Sequence, residues 1–367
     1  MKMLGSANPA AQFRSHRADI EAAINRVLNG DVYIQGPAHD AFEKNFAAYL
    51  GTGHAVGVGN GTDALVLALL ATGVGNGNRV VVPSHTAPAT ISAVRRVGAI
   101  PVFVDVDPRT YTIPLAAAEA AMPGAKAIIL VHLYGYPADG VAFRELAEAQ
   151  GAVLIEDCAQ AAGADLNGRR LGTIGHIGCF SFFPTKNLGA IGDGGAVVTN
   201  DDGLAARLRQ LRTYGWNDER LCQIDGMNSR LDEIQAAILN VKLPFLDRDN
   251  QRRRQIALRY CAGLRDLPLQ LPVENPAGHH VYHLFVIALD ERDALRSHLR
   301  IAGVAAGIHY TPPNHHHLAF SRFAASPLTE TELLAGRILS LPIYPELTDG
   351  DVDLVIAAIA AFFDRQS

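Results

Sequence analysis

The sequence predicts an α/β fold: a mostly parallel, seven-stranded sheet with helices on both faces, followed by a smaller α+β unit. Three observations carry this expectation. Between residues 54 and 199, short β-branched runs alternate with longer helical stretches, the order that crossover units impose. Two of those runs, AIILVHL and AVLIED, are continuously apolar before their polar ends, as strands buried on both faces are. Beyond about residue 200 the alternation stops and helical stretches dominate.

The elements follow in order. His54–Val58 reads as a strand and Asp63–Thr72 as the helix after it. Arg79–Pro83 with Ala89–Val97, Pro101–Val106 with Leu115–Met122, and Ala127–His132 with Val141–Gln150 repeat the pair. Ala152–Glu156 is the fifth strand. Ile177–Phe183 and Gly195–Thr199, close together, complete seven. Leu204–Leu211 and Leu231–Leu239 are predicted helices. The charged stretch Asp247–Arg265 is predicted as a helix leading into a second unit, with a strand at Val281–Leu289 and helices at Ala294–Ala302 and Val352–Phe363. The expected domains are 1–245 and 246–367.

Composition narrows the function classes. Hydrophobic residues at 49% and charged residues at 19% describe a globular chain long enough for two domains. A net charge of -5 supplies no basic field for nucleic acid or a membrane surface. The start lacks the apolar core of a signal peptide, and no apolar run reaches the roughly 20 residues of a membrane span. Four widely spaced cysteines form no CxxC pair, so neither a zinc site nor a disulfide framework is expected. A cytoplasmic protein without a metal is the expectation. His315-His316-His317 is a metal-like run, but three adjacent histidines do not easily converge on one ion; His279, His280 and His283 also look like a cluster, in which His283 is equally read as a satisfied core histidine.

In an open parallel sheet ligands bind beyond the carboxyl ends of the strands, so polar residues just after strands are the site candidates. Gly59-Asn60-Gly61-Thr62-Asp63 follows a strand and opens a helix. It fits a phosphate cradle at a helix N-terminus, and equally a turn in which Thr62 or Asp63 caps the helix. It has neither the GxGxxG spacing nor the lysine of a Walker A loop. Asp157 ends the run AVLIED, where a buried carboxylate needs a cationic or hydrogen-bonding partner. Lys186 lies in SFFPTKNLG, with no other charge nearby, in a chain where only five of 32 basic residues are lysines. Desolvation among Phe182, Phe183 and Gly189 would lower its pKa and free the amine to attack a carbonyl. A phosphate cradle, a buried acid and an amine nucleophile on one parallel sheet are what pyridoxal 5'-phosphate requires.

Six stretches give the chain a resemblance: YIQGPAHDAFEKNFAAYLG, GNGTDALVLAL, IEDCAQAAGA, SFFPTKNLGAIGDGGAVVTND, GMNSRLDEIQAAIL and LSLPIYPELTD. Together they resemble the DegT/DnrJ/EryC1/StrS sugar aminotransferases, of the aspartate aminotransferase-like fold-type I pyridoxal phosphate enzymes, over nearly the whole chain. The resemblance implies that Lys186 carries the cofactor as a Schiff base and that Asp157 pairs with the pyridine nitrogen. It places Gln160 near the ring hydroxyl, and Gly61, Thr62 and Ser181 at the phosphate. Asn228 resembles an asparagine that reaches the neighbouring subunit's cofactor, which implies a homodimer with a shared active site. The chain departs at Ala87, where related proteins often stack an aromatic residue on the ring; His85 is the expected substitute.

By the same resemblance L-glutamate is the donor and a nucleotide-linked keto-deoxysugar the acceptor, in two half-reactions through one cofactor. GTDAL resembles the stretch seen in 3-keto-sugar enzymes; 4-keto sugars and keto-inositols are the alternatives. Tyr33, Arg230, His309 and Tyr310 lie in segments resembling substrate-facing loops. Related dehydratases replace the Schiff-base lysine with histidine, which Lys186 argues against. A non-catalytic nucleotide-sugar-binding regulatory protein is the reading from another class, and the retention of Lys186 and Asp157 weighs against it.

Overall fold

The computed structural model describes residues 3–364; the outermost residues of both expected domains, 1–2 and 365–367, lie outside the described residues. The seven predicted strands form one sheet. Their spatial order is His54–Val58, Gly195–Thr199, Ile177–Ser181, Val153–Asp157, Ala125–Val131, Arg79–Pro83 and Ile100–Val104. Five of them pair in parallel. Gly195–Thr199 runs antiparallel to both neighbours, because no crossover helix separates it from Ile177–Ser181.

The alternation of side chains along a strand sorts the two acids at the end of Val153–Asp157. Glu156 is fully buried and accepts hydrogen bonds from His132 Nε2 (3.1 Å) and the backbone N–H groups of Gly172 (3.0 Å), Ile174 (2.9 Å) and Gly175 (2.5 Å). Burial pushes its pKa up, but the His132 bond and the backbone donors outweigh it and hold the carboxyl below its usual range. A carboxyl so depressed stabilises the fold above its unfolded pKa, and that contribution is lost as the pH falls through the folded value. Glu156→Ala is expected to cost about 3–5 kcal/mol in urea denaturation at neutral pH, and less in acid; a loss under about 1 kcal/mol would count against a structural role.

Three helices precede the first strand, at Pro9–Ser15, Arg17–Leu28 and Pro37–Leu50. The third begins with Pro37 and ends at Gly51 in the left-handed region (φ 71°). Its N-terminal N–H groups are capped from afar: Glu233 accepts from Gly36 (3.0 Å), Ala38 (2.5 Å) and His39 (3.0 Å). Phe42 and Phe46 on its inner face pack edge-on against Phe182.

Helix Leu246–Leu264 leaves the large core through Leu246 and enters a second apolar cluster through Ile256, Tyr260 and Leu264. That cluster also takes in Leu4, which bridges to Val304, so the chain's first segment packs with its last. Strand Phe285–Ala288 pairs antiparallel with Ile338–Leu341. It is shorter than the predicted Val281–Leu289. Tyr282 turns through the left-handed region (φ 44°), and the N–H groups of Val281 and Leu284 bond instead to Gly135 and Tyr134 of the large core. No described helix is long and apolar enough to cross a membrane.

Candidate active site

A cavity of about 430 Å³ lies at the carboxyl ends of strands Val153–Asp157 and Ile177–Ser181. Gly61, Thr62, Asp157, Gln160, Ser181 and Lys186 all line it. Residues spread over 125 positions of sequence thus reach one space, because each follows or ends a strand, or starts the helix after one.

Gly61 and Thr62 begin helix Gly61–Ala71, with its free N–H groups at the cavity. The cap is Asn60, whose Oδ1 accepts from the Asp63 N–H at 2.8 Å, not Thr62 or Asp63. A Cβ on Gly61 would lie 2.6 Å from Ser181 Cβ, so only glycine lets the helix start approach the strand end this closely. Asp63 accepts from Ser229 Oγ (2.7 Å), which accepts from the Gly59 N–H (2.9 Å), tying the segment around Asn228 to the cradle. Gly61→Ala forces Ser181 or the helix start to shift, at about 1–3 kcal/mol. The expected result is roughly 5- to 100-fold weaker pyridoxal phosphate binding by fluorescence titration, with the melting temperature lowered by a few degrees.

Asp157 is 5% exposed. Its Oδ2 accepts from Thr90 Oγ1 (2.9 Å) and its Oδ1 from the Ala159 N–H (3.1 Å). Burial raises its pKa; these bonds and the field of Lys186 oppose the rise without cancelling it. A buried acid with two neutral donors is short of positive charge, which a protonated pyridine nitrogen would supply.

Lys186 is partly exposed to the cavity, yet burial lowers its pKa to about 8, with the charge of Asp157 acting in the opposite sense. Of the expected aromatic cage, Phe183 lines the cavity with Lys186 and is 50% exposed, whereas Phe182 is fully buried against Phe42 and Phe46. The surroundings also include two histidines. His283 and His309 are both held below their ordinary pKa, first by burial and then by the Lys186 charge. The backbone that presents Lys186 is pinned at several points. Asn187 Nδ2 donates to Asn250 Oδ1 (2.7 Å) and to the Val281 carbonyl (3.1 Å), and its Oδ1 meets His283 Nδ1 (3.1 Å). Buried Lys242 donates to the Gly189 carbonyl and to Gln12 Oε1. Thr90 and Lys242 carry no motif, and only the fold brings them to the site.

Gln160 Oε1 accepts from the Tyr134 N–H (2.7 Å), and its Nε2 donates to Tyr310 Oη (2.9 Å). Burial and, less, the Asp157 charge push the Tyr310 phenol up to about 12, so it is a neutral donor at ordinary pH. His309 Nδ1 meets Ser340 Oγ at 2.9 Å. Of the four substrate candidates, the fold brings His309 and Tyr310 to the cavity's surroundings and leaves the other two elsewhere. Tyr33 is 54% exposed, and Arg230 lines a separate groove with Arg207, Arg209 and Arg220. Asn228 is exposed and outside the cavity lining.

His85 departs from expectation. It is 1% exposed, its Nε2 meets Tyr134 Oη (2.8 Å), and its ring packs near Tyr111 and Tyr134. Thr86 and Ala87 line the cavity in its place. The partnership with Tyr134 draws the imidazole inward, so no ring from this segment replaces the missing aromatic residue.

Residues 14–360 match the DegT/DnrJ/EryC1/StrS aminotransferase family. The chain is 47% identical over 355 residues to the erythromycin biosynthesis sensory transduction protein EryC1 of Saccharopolyspora erythraea, covering 96% of this chain and 97% of the relative. It is 46% identical over 360 residues to a UDP-N-acetyl-3-dehydro-alpha-D-glucosamine 3-aminotransferase of Acidithiobacillus ferrooxidans, again covering 96% and 97%. The solved structure of S. venezuelae DesV, in complex with a ketimine intermediate, superposes with a TM-score of 0.96 at 44% identity, covering 99% of both chains.

Proposed function

Because the chain belongs to the DegT/DnrJ/EryC1/StrS aminotransferase family, we propose that it moves an amino group from L-glutamate to a nucleotide-linked 3-keto deoxysugar, using pyridoxal 5'-phosphate. One observation carries the reading. Lys186, the cation-poor Asp157 and the Gly61–Thr62–Ser181 cradle converge on one cavity of about 430 Å³. The 3-keto position is supported by the A. ferrooxidans relative, whose name specifies a 3-dehydro sugar and a 3-aminotransferase.

When bound there, the cofactor supplies an electron sink for the carbon that gains or loses the amine. The chain's residues do the rest. The helix start at Gly61 and Thr62, with Ser181, binds the phosphate. Asp157 holds a proton on the pyridine nitrogen. Lys186 would anchor the cofactor and, as a free amine, would move the proton at the reacting carbon; its lowered pKa keeps part of the amine neutral near pH 8. Gln160 and Tyr310 present hydrogen-bond donors at one side. Asn228 stands exposed, as a residue reaching a second subunit's cofactor would, and a homodimer in the cytoplasm belongs to the same reading.

The test is the visible spectrum of the purified protein with pyridoxal phosphate, before and after L-glutamate, followed by turnover with UDP- and dTDP-linked 3-keto and 4-keto sugars. Glutamate should bleach the visible band, and a 3-keto sugar should restore it. Restoration by 4-keto sugars alone would move the assignment to the other ring position. A band that glutamate never changes would refute the proposed donor. A regulatory reading matches the names of some relatives, the S. erythraea protein among them, and leaves the lysine and acid in the cavity without a purpose.

A further inference from the structure

Outside this cavity, three side chains meet where the second half of the chain crosses the sheet edge: His315, His316 and Glu332. We propose that they form a binding site for one zinc ion. The proposal does not depend on the reading of the active site.

Three successive histidines do not converge on one point, and His317 indeed turns away, toward Phe320. Two of them do converge, with a partner that the sequence places 16 positions further on. His315 Nε2 lies 3.1 Å and His316 Nε2 3.7 Å from Glu332 Oε1. Zinc bonds of 2.0–2.1 Å in a tetrahedron put ligand atoms about 3.3 Å apart, and the two distances bracket that edge. The 3.7 Å contact is too long for a hydrogen bond, so a direct bond to Glu332 does not account for the His316 position.

The ligands are also held in place. His315 is 3% exposed; its Nδ1 meets Ser84 Oγ at 2.6 Å, and its backbone N–H donates to the same oxygen at 3.1 Å. Fixing one ring nitrogen aims the other, as protein groups behind metal-bound histidines do. Asn314 ties the same turn to the sheet through the carbonyls of Ser84 (3.0 Å) and Thr86 (2.7 Å). Glu332 sits on helix Thr329–Arg337, whose first N–H groups are capped by Asp105 beyond the end of a sheet strand. His316 and Glu332 are 49% and 36% exposed on their side chains, which leaves an entry path and room for water as the fourth ligand. Imidazole and carboxylate donors without thiolate suit zinc. The bound ion would fasten the 314–316 turn to helix Thr329–Arg337, directly behind Ser84, two positions from the cavity-lining Thr86.

The experiment uses untagged holoprotein, stripped with a chelator and kept free of glutamate. Equilibrium dialysis measures zinc, and cobalt substitution reads coordination geometry through its visible d–d bands. The variants are His316→Ala and Glu332→Gln, both at exposed side chains, with His279→Ala as a control at another exposed histidine–carboxylate contact. The expected result is one zinc per chain, tetrahedral cobalt bands, and affinity at least about tenfold weaker in each of the two variants but unchanged in the control. No stoichiometric binding would overturn the proposal, as would binding that survives both substitutions or is lost equally in His279→Ala.

Discussion

Lys186→Ala is expected to leave a folded protein that binds pyridoxal phosphate reversibly, shows no stable visible band, and turns over at least about 10²–10⁴-fold more slowly, the range that a positioned general base alone contributes. The fold should tolerate the change. Among the described residues the ammonium forms no ion pair, the backbone around it is pinned by Asn187 and Lys242 rather than by its own side chain, and truncation removes a desolvated charge. The lysine also sets a pH dependence in the wild type. Its pKa is lowered from 10.5 to about 8, so the neutral amine becomes the major form above about pH 8. Capture of cofactor by the apoprotein, followed as growth of the visible band, should rise through a midpoint near 8. A midpoint near 10 would mean that the amine is as solvated as a surface lysine, and the desolvation argument would fail.

The parts of this molecule that could be read in the sequence are those whose cause is local. Most of the seven strands were visible because a strand buried on both faces must be apolar along its length; the edge strand Ile100–Val104 is only partly buried and was visible from its place in the alternation. Asp157 and Lys186 stood out because charges at the ends of such runs are costly unless used. Residues whose cause is distant were hidden. Helix Pro37–Leu50 is capped by Glu233, nearly 200 positions away, and Thr90 and Lys242 act through contacts that only the assembled sheet creates. Two local inferences failed for the same reason. Phe182 was expected beside Lys186, but packing against Phe42 and Phe46 claims it. His85 was expected at the cofactor face, but its bond to Tyr134 turns it away. Tyr33, Arg230 and Asn228 remain outside the cavity lining.

Asp157→Asn should separate two roles of one carboxylate. Asparagine keeps an oxygen for the Ala159 N–H, and its amide nitrogen can donate to Thr90 Oγ1 once that hydroxyl turns its proton to Thr86 Oγ1, so both contacts are kept, one with its direction reversed, while the charge goes. Without cofactor the variant should be more stable than the wild type at neutral pH. The Asp157 pKa is raised on folding, so the folded state binds more protons and loses stability as the pH climbs from the unfolded carboxyl pKa through the folded one. That deficit is absent in asparagine, and the two proteins should converge in acid. With cofactor the order should reverse. Losing the anion opposite a buried cation costs about 3–5 kcal/mol, some 10²–10⁴-fold in cofactor affinity or turnover at 1.36 kcal/mol per tenfold. The same substitution removes the field that raises the Lys186 pKa, so the midpoint of cofactor capture should move below 8 even as turnover falls. A variant that lost activity through misfolding would show neither the stability gain without cofactor nor the lowered midpoint. If the midpoint instead stayed at 8 while turnover fell, the two side chains would be electrostatically independent, and the pairing that defines this site would be wrong.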